Sequence, residues 1–439
     1  MTSRRQKWLA IAPDIGPLRE SAAFRSLYIA RTVSLLSISI LAVVVAWQVY
    51  GLSESSLHVA GVSVGLALGS LIGLIWGGTL ADRSDRRRIM IWGRAAYVIV
   101  VGLLWANSLR SEPGVALIYL ATLLSGLTSG ISAPALMAAL PRLIPERHLA
   151  AAGALNALAM ELGRLIGPLI AGALLARSSV ALCYGVVFVG AVLVPVFLAR
   201  IPRDALLPEG DASADDPAER KSHAPLFRQW AEGLRYVARN QVIGCLLALD
   251  LVAMLFVSIH ALMPELGQAV LKGGPEMVGY LYAAPAVGAL LVAASSGWTR
   301  TLTRPGRVVI ACTVLWGLAV MLAGVAATAA ESGIAWAPWL VLVFLAITGM
   351  ADTASDIVRG ALLQIHTRDA LRGRVSALWL LQGYVGPAIG GLQAAGMATL
   401  WSPARALMLG GGLCAGLVSL GMVPGRSILR KGMWKLGRA

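Results

Sequence analysis

Charged residues inside long apolar stretches are the strongest candidates for chemistry in this 439-residue chain, because an ionisable group at membrane depth is costly. Glu161 and Arg164 lie three positions apart, a spacing at which a helix lets the guanidinium neutralise the carboxylate. Asp250, in the stretch LLALDLVAML, has no charged neighbour nearby in the sequence. Both carboxyls are candidates for carrying a proton, and a structural ion pair is the alternative for Glu161.

A second group of charges follows at helical spacing. Asp352, Asp356 and Arg359 are separated by four and three positions, so they form one polar stripe that should face a cavity rather than lipid. Asp352 and Asp356 are therefore further proton or substrate candidates. Arg31 could bind an anionic substrate, although extension of its guanidinium to the membrane surface is the favoured interpretation.

These charges must be positioned by helices that cross a bilayer. The chain is 57% hydrophobic and 13% charged, about half the charged fraction of a soluble protein. It contains twelve apolar runs long enough to span, the first at about 26–50 and the last at about 402–424. Lipid offers no partner for backbone polar groups, so each run must be helical. The predicted fold class is an all-α membrane protein with twelve transmembrane helices.

Two motifs occur twice at one offset, which indicates a duplicated half. Gly78 in GGTLADRSDRRR corresponds to Gly297 in SGWTRTLTRPGR, and 297 − 78 = 219. Gly167 in ELGRLIGPLIAG corresponds to Gly386 in LQGYVGPAIGG, and 386 − 167 is also 219. The chain should therefore consist of two pseudo-symmetric six-helix halves, as in membrane transporters built from repeats.

Basic residues alternate between the two sides of this arrangement. They concentrate in the N-terminus, the 83–94 connection, the central linker and the C-terminus, while the intervening loops hold only Arg110, Arg177, Lys272 and Arg405. This positive-inside pattern predicts that both termini are cytoplasmic, and it explains the net charge of +15 without a nucleic-acid partner. The expected regions are a cytoplasmic N-terminus at 1–25, an N-terminal half at 26–200, a cytoplasmic linker at 201–241, a C-terminal half at 242–425 and a cytoplasmic tail at 426–439.

The linker itself changes character along its length. Its first part, PEGDASADDPAER, has the composition of a disordered segment. Its second part places Leu226, Trp230, Leu234 and Val237 on one helical face. A short helix lying on the cytoplasmic leaflet and a solvated linker helix are equally compatible with that pattern.

The first repeated motif resembles a known signature. GGTLADRSDRRR is similar to the loop between the second and third helices of the major facilitator superfamily, and the matching residues include Gly78, Asp82, Arg83, Arg86 and Arg87. The resemblance implies a conformational latch between the halves rather than a substrate site. An ordinary positive-inside turn is the alternative.

Two positions depart from that signature. Asp85 replaces the usual second glycine, and Thr301 stands in the second copy at the position of Asp82. We therefore expect a weaker latch in the second half.

The second motif resembles the antiporter signature of the same superfamily. Gly163, Gly167, Pro168 and Gly172 match it, while Ala171 replaces a glycine. The resemblance implies export rather than uptake. The same small residues also allow close helix crossing, and the sequence does not separate the two roles.

The chain as a whole is similar to bacterial siderophore exporters of this superfamily, from about Ala22 to Gly425. AAFRSLYIARTVSLLS and GRVSALWLLQGYVGPAIGG carry the likeness. It implies a secondary active exporter of a siderophore, driven by proton antiport and alternating access, in a bacterial inner membrane. Two features depart from the pattern: Glu161 stands where those exporters should have a basic residue, and the fourth helix, GLTSGISAPALMAAL, lacks the family's usual basic residue.

Other functions fit less well. A broad-specificity multidrug exporter is the nearest alternative, and a non-transporting sensor or scaffold would tend to lose the latch or add a domain. The sequence shows no nucleophile–base pair, metal-ligand cluster or ATP-binding loop, so we expect neither an enzyme nor a cofactor or metal. The four cysteines lie far apart in apolar runs.

The expected partners are a small-molecule substrate, protons and the lipid bilayer, and the expected state is a monomer. His260 and Glu265 are expected at the rim of the seventh helix.

Overall fold

The computed structural model describes residues 14–83, 85–139, 142–202, 226–368 and 371–421. Within these ranges the regular elements are helices, and no strand is present. The principal helices are α1 (Ala22–Ser53), α2 (Ser56–Arg83), α3 (Arg86–Ser108), α4 (Val115–Ala139), α5 (Leu149–Arg177), α6 (Val180–Ala199), α7 (Gln241–Val257), α8 (Gly274–Ala294), α9 (Pro305–Glu331), α10 (Ala337–His366), α11 (Arg372–Leu400) and α12 (Pro403–Ser419).

The lengths of these helices match a bilayer. In the described part of the chain, eleven spans are long and apolar enough to cross a membrane, and the span that begins with α7 continues through short irregular helical turns to Val270. The twelfth helix, α12, is apolar and has 17 residues. The predicted all-α membrane fold is confirmed.

Helix starts are fixed by side-chain caps at several turns. Ser21, Ser179 and Ser402 accept hydrogen bonds from backbone N–H groups in the first turns of α1, α6 and α12. Asn240 does the same for α7, and Asp85 for α3. Such caps satisfy donors that a helix start leaves without partners. The aspartate that departs from the superfamily signature therefore marks the start of α3.

The two halves repeat one packing scheme. In the first half α1 packs against α5 and α6, α2 against α4, and α3 against α4 and α6; α7 to α12 repeat these contacts in the same order. Gly69 in α2 lies against the backbone of α4, and Gly288 in α8 lies against the backbone of α10 in the same way. Because 288 − 69 = 219, the offset read from the two sequence motifs also relates the tightest helix crossings.

The halves meet through two helix pairs, α5 with α8 and α2 with α11. A Cβ atom added at Gly172 of α5 would lie 3.0 Å from the Cα atom of Gly279 in α8. The hydroxyl of Ser56, at the start of α2, donates a hydrogen bond to the carboxylate of Glu265. We call the membrane face at which α1 begins and α6 ends the basic face, and the other the opposite face. These inter-half contacts lie toward the opposite face.

The linker contains the predicted helix, at Leu226–Arg239. It is attached to the C-terminal half by an ion pair between Glu232 Oε2 and Arg374 Nη1 at 2.7 Å. Val237 is buried, whereas Leu234 is 62% exposed. The helix is confirmed, and its position on the membrane surface stays a prediction.

Candidate translocation cavity and charge cluster

A cavity of about 370 Å³ lies between the two halves. Helices α1 to α4 form one wall, and α8, α11 and the segment after α7 form the other. Its aromatic and polar lining includes Tyr97, Tyr282, Tyr384, His260, Ser125 and Ser129. Such a lining suits a ligand that combines aromatic or apolar surface with a few hydrogen-bonding groups.

His260 follows the end of α7 and lines this cavity. Its ring packs against Tyr282 with the centroids 5.9 Å apart, and the Tyr282 hydroxyl donates to the His260 carbonyl oxygen at 2.8 Å. Helix α7 ends at Val257, and His260 begins the short 3₁₀ segment that follows, so its position at the rim of α7 stays a prediction. Glu265 joins the halves through Ser56.

A buried charge cluster connects α7 and α10. Arg359 Nη1 lies 2.8 Å from Asp250 Oδ1, and the two residues are 1% and 0% exposed. Arg359 Nη2 also pairs with Asp356, and Gln382 of α11 donates to Asp250 Oδ2 at 2.9 Å. Asp250, which has no charged partner nearby in the sequence, is therefore paired across helices.

Asp352 differs from Asp250 and Asp356, because it has no direct partner among the described residues. It lies 352 − 337 = 15 residues into the 30-residue α10, and it makes no hydrogen bond or ion pair with the described residues. Asp356 and Arg359 follow it at spacings of four and three on the same helix, so Asp352 lies next to the buried charge cluster.

The predicted pair of Glu161 and Arg164 is formed. Glu161 Oε1 lies 3.2 Å from Arg164 Nη1 on the surface of α5, where the arginine side chain is largely exposed. The second oxygen, Glu161 Oε2, is buried and accepts no hydrogen bond within the described structure. This arrangement neutralises Glu161, so Asp352 is the less compensated of the two mid-helix carboxyls.

The charged candidates do not line the cavity itself. Glu161, Arg164, Asp250, Asp352, Asp356 and Arg31 are all absent from its lining. The residues that sequence reasoning missed are mainly hydroxyl side chains. Thr122, Ser125 and Ser129 recur at spacings of three and four on α4, and that helical stripe was the available signal.

The latch motif is described in part. Arg87 Nε donates to the carbonyl oxygen of Ile201 at 2.8 Å, and Arg87 Nη2 donates to that of Ala199 at 2.6 Å. This arginine therefore attaches the start of α3 to the end of α6, within one half. The side-chain surroundings of the remaining latch positions lie outside the described part of the chain; these are Gly78, Asp82, Arg83 and Arg86.

The antiporter-like motif occupies the contact between α5 and its neighbours. A Cβ atom added at Gly163 would lie 3.2 Å from Leu35 Cβ in α1, and one added at Gly167 would lie 2.5 Å from Ser39 Cβ. At the opposite end of the motif, Gly172 faces α8 of the other half. The buried Pro168 lies between these two surfaces. The motif thus joins packing within the first half to packing between the halves.

Comparison with known proteins agrees with this architecture. Residues 12–431 match the family described as transmembrane secretion effector, a branch of the major facilitator superfamily. The chain belongs to this family. It is accordingly a multi-pass membrane transporter and not an enzyme.

Several relatives of this transporter carry the name Enterobactin exporter EntS. The protein from Shigella boydii serotype 18 is 31% identical over 95% of this chain and 94% of its own length. The proteins from Salmonella choleraesuis and from Escherichia coli O1:K1 are 31% and 30% identical over the same shares. The likeness therefore extends through both halves.

Solved structures share the fold at much lower sequence identity. A mutant of peptide transporter POT in complex with alafosfalin has a TM-score of 0.73 at 16% identity, covering 99% of this chain and 100% of its own. Nucleoside transporter NupG has a TM-score of 0.67 at 11% identity, covering 93% and 99%. At these identities the match supports the two-half fold alone.

Proposed function

We propose that this transporter exports a siderophore from the cytoplasm of a bacterium, by proton antiport and alternating access. The observation that carries the proposal is the likeness of the whole chain to relatives named enterobactin exporters. The placement of basic residues supports an inner-membrane location with both termini cytoplasmic, so that the basic face is the cytoplasmic one. The expected boundaries of the halves, linker and tails remain part of this proposal, as does the monomeric state.

The chemistry of the cavity supports a substrate of this class. Tyr97, Tyr282 and Tyr384 supply aromatic faces and phenol groups, while Ser125 and Ser129 supply hydroxyls. Iron-chelating molecules present oxygen donors on compact, often aromatic units, which such side chains can stack against and hydrogen-bond. We infer that the substrate binds here, at the interface of the two halves, where transporters of this type hold their substrates.

The contacts between the halves support an alternating-access cycle. Gly172 and Gly279 allow α5 and α8 to approach closely near the opposite face, and Ser56 with Glu265 adds a polar tie there. In our proposal this face is the periplasmic gate, closed in the present arrangement. Release of substrate would separate these contacts while the latch motif around Asp82 closes the basic face.

Asp352 is the carboxyl that we assign to proton coupling. An ionised carboxylate without a direct cation partner is costly at mid-membrane depth, so it tends to take up a proton there. The pairs Asp250–Arg359 and Glu161–Arg164 are already neutralised and would act as fixed charges around it. Arg164 moves with the N-terminal half and Asp352 with the C-terminal half, so rocking of the halves would change the electrostatic surroundings of Asp352.

The proton gradient provides enough free energy for this role. One elementary charge moved through 100 mV corresponds to about 2.3 kcal/mol, which supports nearly fiftyfold accumulation. One proton exchanged per substrate would therefore be sufficient for useful export.

The test is secretion from iron-starved cells that lack their own exporter. Cells that carry this protein should release enterobactin or another catecholate siderophore, and export should fall with Asp352→Asn at equal protein abundance. Glu331→Gln is the matched control, because this carboxylate is exposed at the end of α9. A multidrug exporter is the competing outcome: resistance to unrelated drugs, with unchanged siderophore release, would contradict the proposal.

A further inference from the structure

Two arginines lie on neighbouring helices of the N-terminal half at similar depth. Arg31 lies nine residues into α1 and Arg94 eight residues into α3, about 13 and 12 Å from the starts of their helices. Arg94 Nη1 donates to Ser34 Oγ at 3.1 Å, and Ser34 lies one helical turn beyond Arg31 on α1. Two positive charges are therefore held close together below the membrane surface.

Within the described part of the chain, no carboxylate compensates this pair. Among the described residues, neither Arg31 nor Arg94 forms an ion pair with a carboxylate. The Nε atom of Arg31 is buried and makes no hydrogen bond within the described structure. Two guanidiniums repel one another in a low-dielectric region, so an anionic group between them would relieve the repulsion and could accept the hydrogen bond that Arg31 Nε lacks.

The pair points toward the translocation cavity. Ile38 and Val45 line the cavity, and Arg31 precedes them at intervals of seven residues, which places it on the same face of α1. Tyr97, one turn beyond Arg94 on α3, also lines the cavity. The arginines therefore lie on the path between the basic face and the cavity.

We propose that Arg31 and Arg94 form a subsite that binds an organic anion, such as a carboxylate of the substrate, on its way into the cavity. The inference rests on the proposed export function, because it assigns an acidic group to the exported molecule. Arg31 is then more than a residue extended to the membrane surface. Arg94, which sequence reasoning did not select, is its partner.

Binding to purified protein tests this subsite without any transport step. Radiolabelled benzoate is the probe, and benzamide is a neutral competitor of matched shape. The detergent-solubilised wild-type protein should bind benzoate saturably, and benzoate should compete far better than benzamide. Arg31→Gln and Arg94→Gln should each weaken binding about tenfold or more, since each removes a charge-assisted hydrogen bond. Arg31→Lys should retain part of the affinity, and Arg405→Gln, at the opposite face, should retain all of it.

Three results would overturn the inference: equal competition by benzamide, wild-type affinity in both glutamine variants, or displacement of benzoate by chloride at the same concentration. The benzamide and chloride comparisons use the wild-type protein, so they decide the matter even if a glutamine variant fails to fold. The outcome is separable from the proposed function. Benzoate binding that requires both arginines, in a protein that exports no siderophore, would leave the anion subsite standing and reject only the siderophore assignment.

Discussion

The buried pair Asp250–Arg359 gives the sharpest prediction for stability. Arg359→Gln removes the cation that lies 2.8 Å from Asp250 and leaves a carboxylate that is 0% exposed. Asp250→Asn leaves a positive charge instead, on an Arg359 guanidinium that is 1% exposed and has lost its buried partner. We expect both single variants to unfold more easily than the wild type.

The size of the expected loss in unfolding free energy follows from the burial of the pair. Breaking a buried ion pair by removing one partner costs about 3–5 kcal/mol, because solvent cannot compensate the charge that remains. Asp356 pairs with the same arginine but its side chain is 49% exposed, so Asp356→Asn should cost only about 0–1 kcal/mol. The double variant Asp250→Asn/Arg359→Gln leaves no buried charge of the pair, so its cost should fall below the sum of the single costs by about 1–3 kcal/mol.

Reversible unfolding in mixed micelles, with increasing dodecyl sulfate, measures these differences through the fluorescence of the 13 tryptophans. Asp356→Asn is the matched control, because it removes a carboxylate from the same arginine at a half-exposed position. Costs that add in the double variant, or equal costs for Asp250→Asn and Asp356→Asn, would refute the burial argument.

Three further predictions concern the halves and the topology. Gly172→Leu should abolish most of the transport and favour separation of α5 from α8 at the opposite face, because overpacking a tight contact costs about 1–3 kcal/mol. Distances between spin labels on the two helices measure this separation. Gly416→Leu is the control, because a side chain at Gly416 would enter open space. Asp82→Asn should reduce transport while the protein reaches the membrane in normal amounts. Full transport by this variant, measured in vesicles that contain the purified protein, would contradict a latch role for Asp82. A cysteine placed at Ser213 should resist an impermeant thiol reagent on intact cells, whereas ready labelling would invert the topology.

The fold could be predicted from the sequence because its two determinants are local or periodic. Apolar runs set the number and length of the helices, and the 219-residue offset of Gly167 and Gly386 sets the duplication. The same offset then relates Gly69 and Gly288 at tight crossings, although neither glycine belongs to the motifs that revealed it.

The site was less predictable because its contacts join distant parts of the chain. Asp250 and Arg359 are 359 − 250 = 109 residues apart, and only the packing of α7 against α10 brings them together. Helical spacing correctly paired Glu161 with Arg164, because that contact lies within one helix. Arg94 gave no comparable signal, since its significance depends on lying near Arg31 of another helix.

The central claim, proton-coupled export, is tested most directly in vesicles that contain the purified protein and a catecholate siderophore. An imposed proton gradient should drive siderophore movement against protons in the wild type, and an ionophore that dissipates the gradient should abolish accumulation. Asp352→Asn should lose the gradient dependence while Glu331→Gln keeps it. Equal siderophore movement with and without the gradient, in both wild type and Asp352→Asn, would contradict antiport and indicate facilitated diffusion.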